Sequence, residues 1–416
     1  MVAHSATLAV DEAVRARQAR GEKVVHLGFG EAGLPVLPAV ADVLAGAVGH
    51  NRYGPVTGTE PARAAASDYY GRRGLPTTPD QVLLAPGSKA LLFALLSALP
   101  GDVVLPVPSW VTYAAQASMA GKRVLGVPIP AEAGGVPDPD ALEAALRTAG
   151  SDGYRPGVLV VTLPDNPTGT VADAGLVKRV CEIADRYGLA VVSDEIYRDL
   201  NHGPDPLVSP AELLPERTVV TGGLSKSMAL GGWRIGFARL PASPWGRSLH
   251  DAVKGIASEV WSSLAMPMQD VVAYVLGEPP AVRERVAASA RLHGAVAAAV
   301  HGVFTGAGAT CRTPQAAFYL YPELEVARCA VERAGVDTGA KLAGYLLDEH
   351  GVAVLAGEAF GDDPAAFRFR VATSLLYGEG DQRLAALASD DPVSLPWIAA
   401  SLAELRTALE TVVTGP

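Results

Sequence analysis

The sequence predicts an α/β fold, a mostly parallel sheet flanked by helices with a smaller α+β unit beside it, and three observations lead there. Short Val- and Leu-rich runs alternate with helical stretches through the middle of the chain, as strands covered on both faces by crossover helices do. Beyond about residue 300 that alternation stops and mixed strand and helix patterns take over. The 416 residues also exceed what one hydrophobic core usually organises, so two lobes with a cleft between them are expected.

Five runs carry the sheet: QVLLA (81–85), DVVLPV (102–107), GVLVVTL (157–163), GLAVVS (188–193) and RTVVT (217–221). Helices are predicted between them, over 89–98, 140–148 and 173–187, and the crossover lengths suit βαβ units. An Ala-rich amphipathic stretch over 281–303 reads as a long helix leading out of the sheet. AAFYLYPEL (316–324), a helix over 339–349 and FRFRVATS (367–374) then suggest the smaller unit. We expect an N-terminal segment over 1–45 that joins the small unit, a large α/β domain over 46–285 and a small α+β domain over 286–416.

Composition narrows the function classes. Hydrophobic residues make up 49% and charged residues 19%, with a formal charge of -10, which suits a compact acidic protein and argues against binding a phosphate backbone. Cys181, Cys311 and Cys329 show no ligand spacing, so neither a zinc site nor a disulfide framework is expected. The first 21 residues lack the apolar core of a secretion signal, and runs such as 90–99 are too short to span a bilayer; a cytoplasmic protein without membrane contact is expected.

Reactive residues follow the C-terminal ends of the predicted strands, where open α/β sheets bind ligands. After the first run, Gly87 and Ser88 would open a helix whose free N–H groups can hold an anion, though Gly-Ser is also common capping chemistry. After the second, Trp110 offers an indole for stacking, or a core residue. After the third, DNPTG (165–169) forms a tight turn in which Asn166 could donate to a phenolate oxygen or simply serve the turn. After the fourth, SDEIY (193–197) leaves Asp194 at the end of an apolar run, where a buried carboxylate needs a cationic partner such as a protonated pyridine nitrogen. Tyr197 follows three residues on. After the fifth, GLSKSMALGGWRIG (223–236) holds Lys226 among small residues, as Schiff-base chemistry requires, with Arg234 able to fork onto phosphate oxygens.

Taken together, these segments resemble the class I/II aminotransferase family of fold type I enzymes that depend on pyridoxal 5'-phosphate (PLP), over nearly the full length. The resemblance implies that Lys226 carries the cofactor as a Schiff base and later moves the α-proton. It implies that Asp194 pairs with the ring nitrogen, Asn166 and Tyr197 with the ring oxygen, and that Trp110 stacks on the ring. Gly87, Ser88, Ser225 and Arg234 would bind the phosphate, with Lys89 beside them. Tyr53, in NRYGPVTG (51–58), resembles the tyrosine that reaches a neighbour's phosphate, which implies a homodimer.

FRFRVATS would supply the arginine that grips the substrate α-carboxylate, in one of two registers. Matching the ATS triplet favours Arg368, whereas an Arg-apolar-small pattern selects Arg370; two residues apart on a strand, both could line the site. Gly30, in GFGEAGLPVLP (28–38), falls in the loop expected to cover substrate. Lys89 resembles a lysine of a bacterial aspartate aminotransferase subgroup that favours acidic side chains, so aspartate or glutamate is a possible donor, a solvated helix-start lysine being the alternative. Two departures stand out: Gly223 where many members have a phosphate-binding Ser, and the 28–38 segment itself.

The activity expected is amino transfer between an amino acid and a 2-oxo acid. Elimination, cyclisation or oxidation would draw on the same cofactor and are the competing readings. A PLP-sensing regulator would need a DNA-binding module ahead of the fold, and a dinucleotide binder would need GxGxxG after one of the predicted strands; neither reading is expected, since no GxGxxG follows any of the five predicted runs.

Overall fold

A computed structural model describes residues 6–203 and 207–415; residues 1–5 of the expected N-terminal segment lie outside the described residues. Seven strands form the central sheet: β1 (Val82–Ala85), β2 (Asp102–Val107), β3 (Val124–Pro128), β4 (Pro156–Thr162), β5 (Ala190–Asp194), β6 (Thr218–Gly223) and β7 (Gly236–Arg239). Across the sheet they run β1-β7-β6-β5-β4-β2-β3. All neighbours are parallel except β7, which is antiparallel to both β1 and β6. The five predicted runs are β1, β2, β4, β5 and β6. Edge strand β3 has one fully buried residue, Val127, and so lacks the apolar run that identified the others.

The predicted helices form at Ser88–Ala98, Pro139–Thr148 and Ala174–Arg186. In the last, the Asp173 carboxylate accepts from Leu176 N at 2.8 Å, satisfying a donor the first turn leaves free. Leu176, Val180 and Ile183 then turn inward at helical spacing, each stabilising by about 1.5–3 kcal/mol on burial.

Helix Pro280–Gly306 ties two cores together. Val282 packs into the core beside β1, β6 and β7, while Leu292, Val296, Val300 and Phe304, four residues apart, enter a second core. Over that second core lies a three-stranded antiparallel sheet with Phe369–Ala372 between Leu355–Ala356 and Tyr319–Leu320. Within the 316–324 segment the strand is only two residues long, Tyr319–Leu320, and Pro322 beyond it cannot donate to a ladder. Val25–His26 pairs with Val352–Ala353, joining the N-terminal segment to this lobe.

Register aligns the ends of the central strands. Thr162 lies opposite Asp194, and Asp194 opposite Thr221. Gly236 faces both Ala85 and Gly223, which brings the loops after β1 and β6 together. Among the described residues no helix is long and apolar enough to cross a membrane.

Candidate active site

A cavity of about 490 Å³ opens at these strand ends, and ten of the predicted residues line it together with Arg370. Its floor is Asp194. Tyr113 Oη donates to Oδ2 at 2.8 Å and Thr221 Oγ1 to Oδ1 at 3.1 Å. Burial pushes the carboxyl up to about 6 against the pull of those hydroxyls. Two dipoles are a poor substitute for a counter-charge, so this carboxylate is suited to a cationic ring nitrogen.

Lys226 Nζ donates to the Gly30 carbonyl at 2.6 Å and lies 5.8 Å from the centre of the Tyr197 ring. No carboxylate pairs with it among the described residues. The short helical turn Leu224–Ser227 starts where β6 ends, so the sheet itself aims the lysine at the cavity.

An anion cradle lies beside it. Gly87 adopts φ +89°, and a Cβ there would collide with the Arg234 guanidinium, so only glycine lets the two approach. No side chain caps the helix that begins at Ser88, which leaves its first N–H groups free. Arg234 is itself held at φ +54°, an uncommon conformation for a non-glycine residue, and donates to Gly231 O at 2.9 Å. Ser225 and Ser88 complete the lining. A Cβ on Gly223 would lie 2.8 Å from Ile235 O, so this backbone has no room for the serine that the resemblance led one to expect there.

Trp110 meets Tyr113 edge-on at 5.3 Å, and Lys89 Nζ lies 5.3 Å from the indole centre. Desolvation lowers the Lys89 pKa, and Arg234 and Lys226 add to the effect. Tyr197 Oη bonds to Tyr319 Oη at 2.9 Å and is reached by Asn166 Nδ2 at 3.5 Å.

Arg370 is 1% exposed, donates to Gly28 O at 2.8 Å and to Asn166 Oδ1 at 3.4 Å, and leaves Nε without a partner. Arg368, which the ATS register favoured, sits outside this cavity in ion pairs with Glu323 and Asp362, at 3.1 Å each. It precedes the strand and its side chain leaves on the other side, so the two arginines do not share a site. Tyr53 is likewise outside it, 94% exposed.

Sequence reasoning missed three contributors. Tyr113 is one helical turn beyond Trp110, a spacing that puts both on one face. Tyr319 lies in AAFYLYPEL (316–324), a segment with no motif that points to a site. Thr7, whose buried Oγ1 has no partner among the described residues, lines the cavity from helix Ala6–Ala19 with no local motif to announce it. Among the described residues no cluster of His, Cys, Asp and Glu could hold a metal.

Comparison with known proteins agrees with this arrangement. The sequence model for aminotransferase class I and II matches residues 22–375. An aspartate aminotransferase from Geobacillus stearothermophilus is 34% identical over 388 residues, covering 89% of this chain and 92% of that one. An aspartate/prephenate aminotransferase from Cereibacter sphaeroides is 31% identical over 383 residues, with coverage of 89% and 92%. Among solved structures, the aspartate aminotransferase of Thermus thermophilus with maleate superposes with a TM-score of 0.80 at 28% identity, over 93% of this chain and 96% of that one. A family match across most of the sequence, relatives above 30% identity and a shared fold lead to one conclusion: the chain belongs to the class I and II aminotransferases and is a PLP-dependent enzyme of fold type I.

Proposed function

We propose that the enzyme moves the amino group of a dicarboxylic L-amino acid, aspartate or glutamate, to a 2-oxo acid, and that it works as a homodimer. The observation that carries this reading is the buried Arg370, a guanidinium with a free Nε and, among the described residues, no acidic partner, facing the cavity that holds Lys226. A planar fork of this kind suits an α-carboxylate. Lys89 and the unpartnered Thr7 Oγ1 add a cation and a hydroxyl for a second carboxylate. The curated relatives named above are aspartate and aspartate/prephenate aminotransferases, which favours the same donor class.

When bound, PLP supplies an electron sink for negative charge developing at the substrate Cα. Asp194, ionised against the ring nitrogen, keeps that nitrogen protonated. Asn166 and Tyr197 orient the ring oxygen, and Trp110 limits tilt by lying along the ring. Gly87, the free N–H groups at Ser88, Ser225 and Arg234 hold the phosphate. Lys226 would anchor the cofactor and, once displaced from it by the substrate amine, its Nζ would be the base that takes the proton from the substrate Cα. The Gly30 carbonyl, 2.6 Å from Nζ, is a ready acceptor that orients the amine. Arg370 fixes the α-carboxylate so that the Cα–H bond meets Nζ.

Support for the dimer is the surface around Tyr53, where Tyr53 is 94% and Val48 69% exposed. A large ring left this exposed to water is consistent with a face that a second subunit covers. The test of the donor is spectroscopic. Aspartate or glutamate should discharge the visible band of the purified holoenzyme, and oxaloacetate or 2-oxoglutarate should restore it. Discharge by neutral amino acids at equal efficiency would refute the dicarboxylic assignment, and ammonia release without discharge would refute transfer.

A further inference from the structure

A second cavity, of about 780 Å³, lies between the lobes and is unused by the chemistry above. Its charges are unevenly compensated. Arg368 is shared by Asp362 and Glu323, each 3.1 Å away, so one guanidinium faces two carboxylates and the trio keeps one negative charge in excess. Tyr321 Oη donates to Asp362 Oδ2 at 2.9 Å, which orients that carboxylate without neutralising it. Arg312 is the converse case. Its Nε and one terminal nitrogen donate to the carbonyls of Ala131 at 2.7 Å and Pro130 at 3.1 Å, neutral acceptors, and no acid pairs with it among the described residues. The cavity therefore presents one positive centre without an ion-pair partner among the described residues, its charge felt at longer range by buried Asp165, and one net negative centre.

A small molecule that carries both signs fits this wall better than an anion or a cation alone, because each end meets a centre of opposite net charge. We propose that the cavity binds a zwitterion of the amino-acid type, its carboxylate on Arg312 and its ammonium toward Glu323 and Asp362. The position gives such binding a route to catalysis. Pro108 lines this cavity and Trp110, two residues on, lines the first; Arg368 lines this one and Arg370 the first. An occupant also touches both lobes at once, since Arg312 and Arg368 follow the long helix whereas Pro108 and Ala131 belong to the central-sheet side. This inference goes beyond the proposed donor and does not depend on it.

The test is calorimetric titration of glycine into holoenzyme that carries Arg370→Met and has been reduced with borohydride, which removes the first cavity from the readout. Saturable binding is expected, about tenfold or more weaker in Arg312→Met and in Glu323→Gln, and retained in part by Arg312→Lys. Acetate and methylammonium, each with one of the two charges, should bind at least about tenfold more weakly than glycine. Absence of saturable heat, unchanged affinity in both Arg312→Met and Glu323→Gln, or acetate binding as tightly as glycine would each overturn the proposal. Should Arg312→Met lose its near-ultraviolet circular dichroism, Glu323→Gln alone decides. The readout is heat rather than turnover, so a wrong donor assignment leaves it interpretable.

Discussion

Arg370 reaches the side-chain carbonyl of Asn166 at 3.4 Å, so the middle strand of the small sheet and the turn after β4 meet across the cavity. That contact joins the residue proposed to hold substrate to a residue proposed to hold cofactor. Movement of one lobe relative to the other would therefore alter both at once.

The two arginines of FRFRVATS should behave oppositely. Arg370→Met removes a charge-assisted fork and should lower kcat/KM for the amino donor by about 10²–10³-fold, corresponding to about 3–4 kcal/mol. Arg368→Met removes partly exposed ion pairs worth about 0–1 kcal/mol and should leave kcat/KM within about threefold. Steady-state kinetics on both variants check this, and a larger loss in Arg368→Met would reverse the assignment.

Much of this site was legible in the sequence because it is local. Asp194, Asn166 and Lys226 each sit directly behind an apolar run, and a buried strand is readable from composition. What could not be read is what three dimensions decide. Arg368 and Arg370 differ by two positions, and the side on which each leaves the chain depends on pairing with Leu355 and Glu323, which no local pattern encodes. Thr7 reaches the cavity because its helix packs Ala6 and Val10 against Tyr321, Leu355 and Phe360, contacts distant in sequence. Strand β7 is not among the five predicted runs; its antiparallel direction follows from the tight return of the chain through Gly231–Trp233.

Lys226→Ala should bind PLP without a covalent link. The visible band and its loss on borohydride treatment disappear, and turnover with them, while Asp194, Arg234 and the Ser88 helix retain non-covalent affinity. Absorbance and mass spectrometry after reduction measure this. A reducible cofactor that persists in Lys226→Ala would assign the linkage to another amine.

Tyr53 offers a test of subunit sharing. If it completes the neighbour's site, Tyr53→Ala and Lys226→Ala are each impaired as homodimers, yet a mixed dimer regains one site with both residues intact. Random remixing makes half of the dimers hybrid with one good site in two, so activity should return to about a quarter of wild type. No recovery on remixing would restrict Tyr53 to its own subunit.

Asp165 precedes Asn166 and is wholly buried, with Oδ2 accepting from Thr168 N at 3.1 Å and Thr168 Oγ1 at 2.5 Å, and with Oδ1 unpartnered. Burial pushes its carboxyl up to about 7, opposed by the Thr168 bonds and, more weakly, by the charge of Arg312. In the unfolded chain an aspartate titrates near about 3.9. Between about pH 4 and 7 the folded state therefore holds a proton that the unfolded state has released, and stability attributable to this group falls as pH rises through that window. Asp165→Asn keeps the acceptor oxygen for Thr168 without the charge. It should be more stable than wild type at pH 8 by about 1–3 kcal/mol, with the advantage shrinking toward zero near pH 4. Urea unfolding midpoints at several pH values measure the difference, in which Asp194 cancels because both proteins carry it. A difference that does not vary with pH would mean that the carboxyl stays in one protonation state throughout, and the buried position would then act through packing alone.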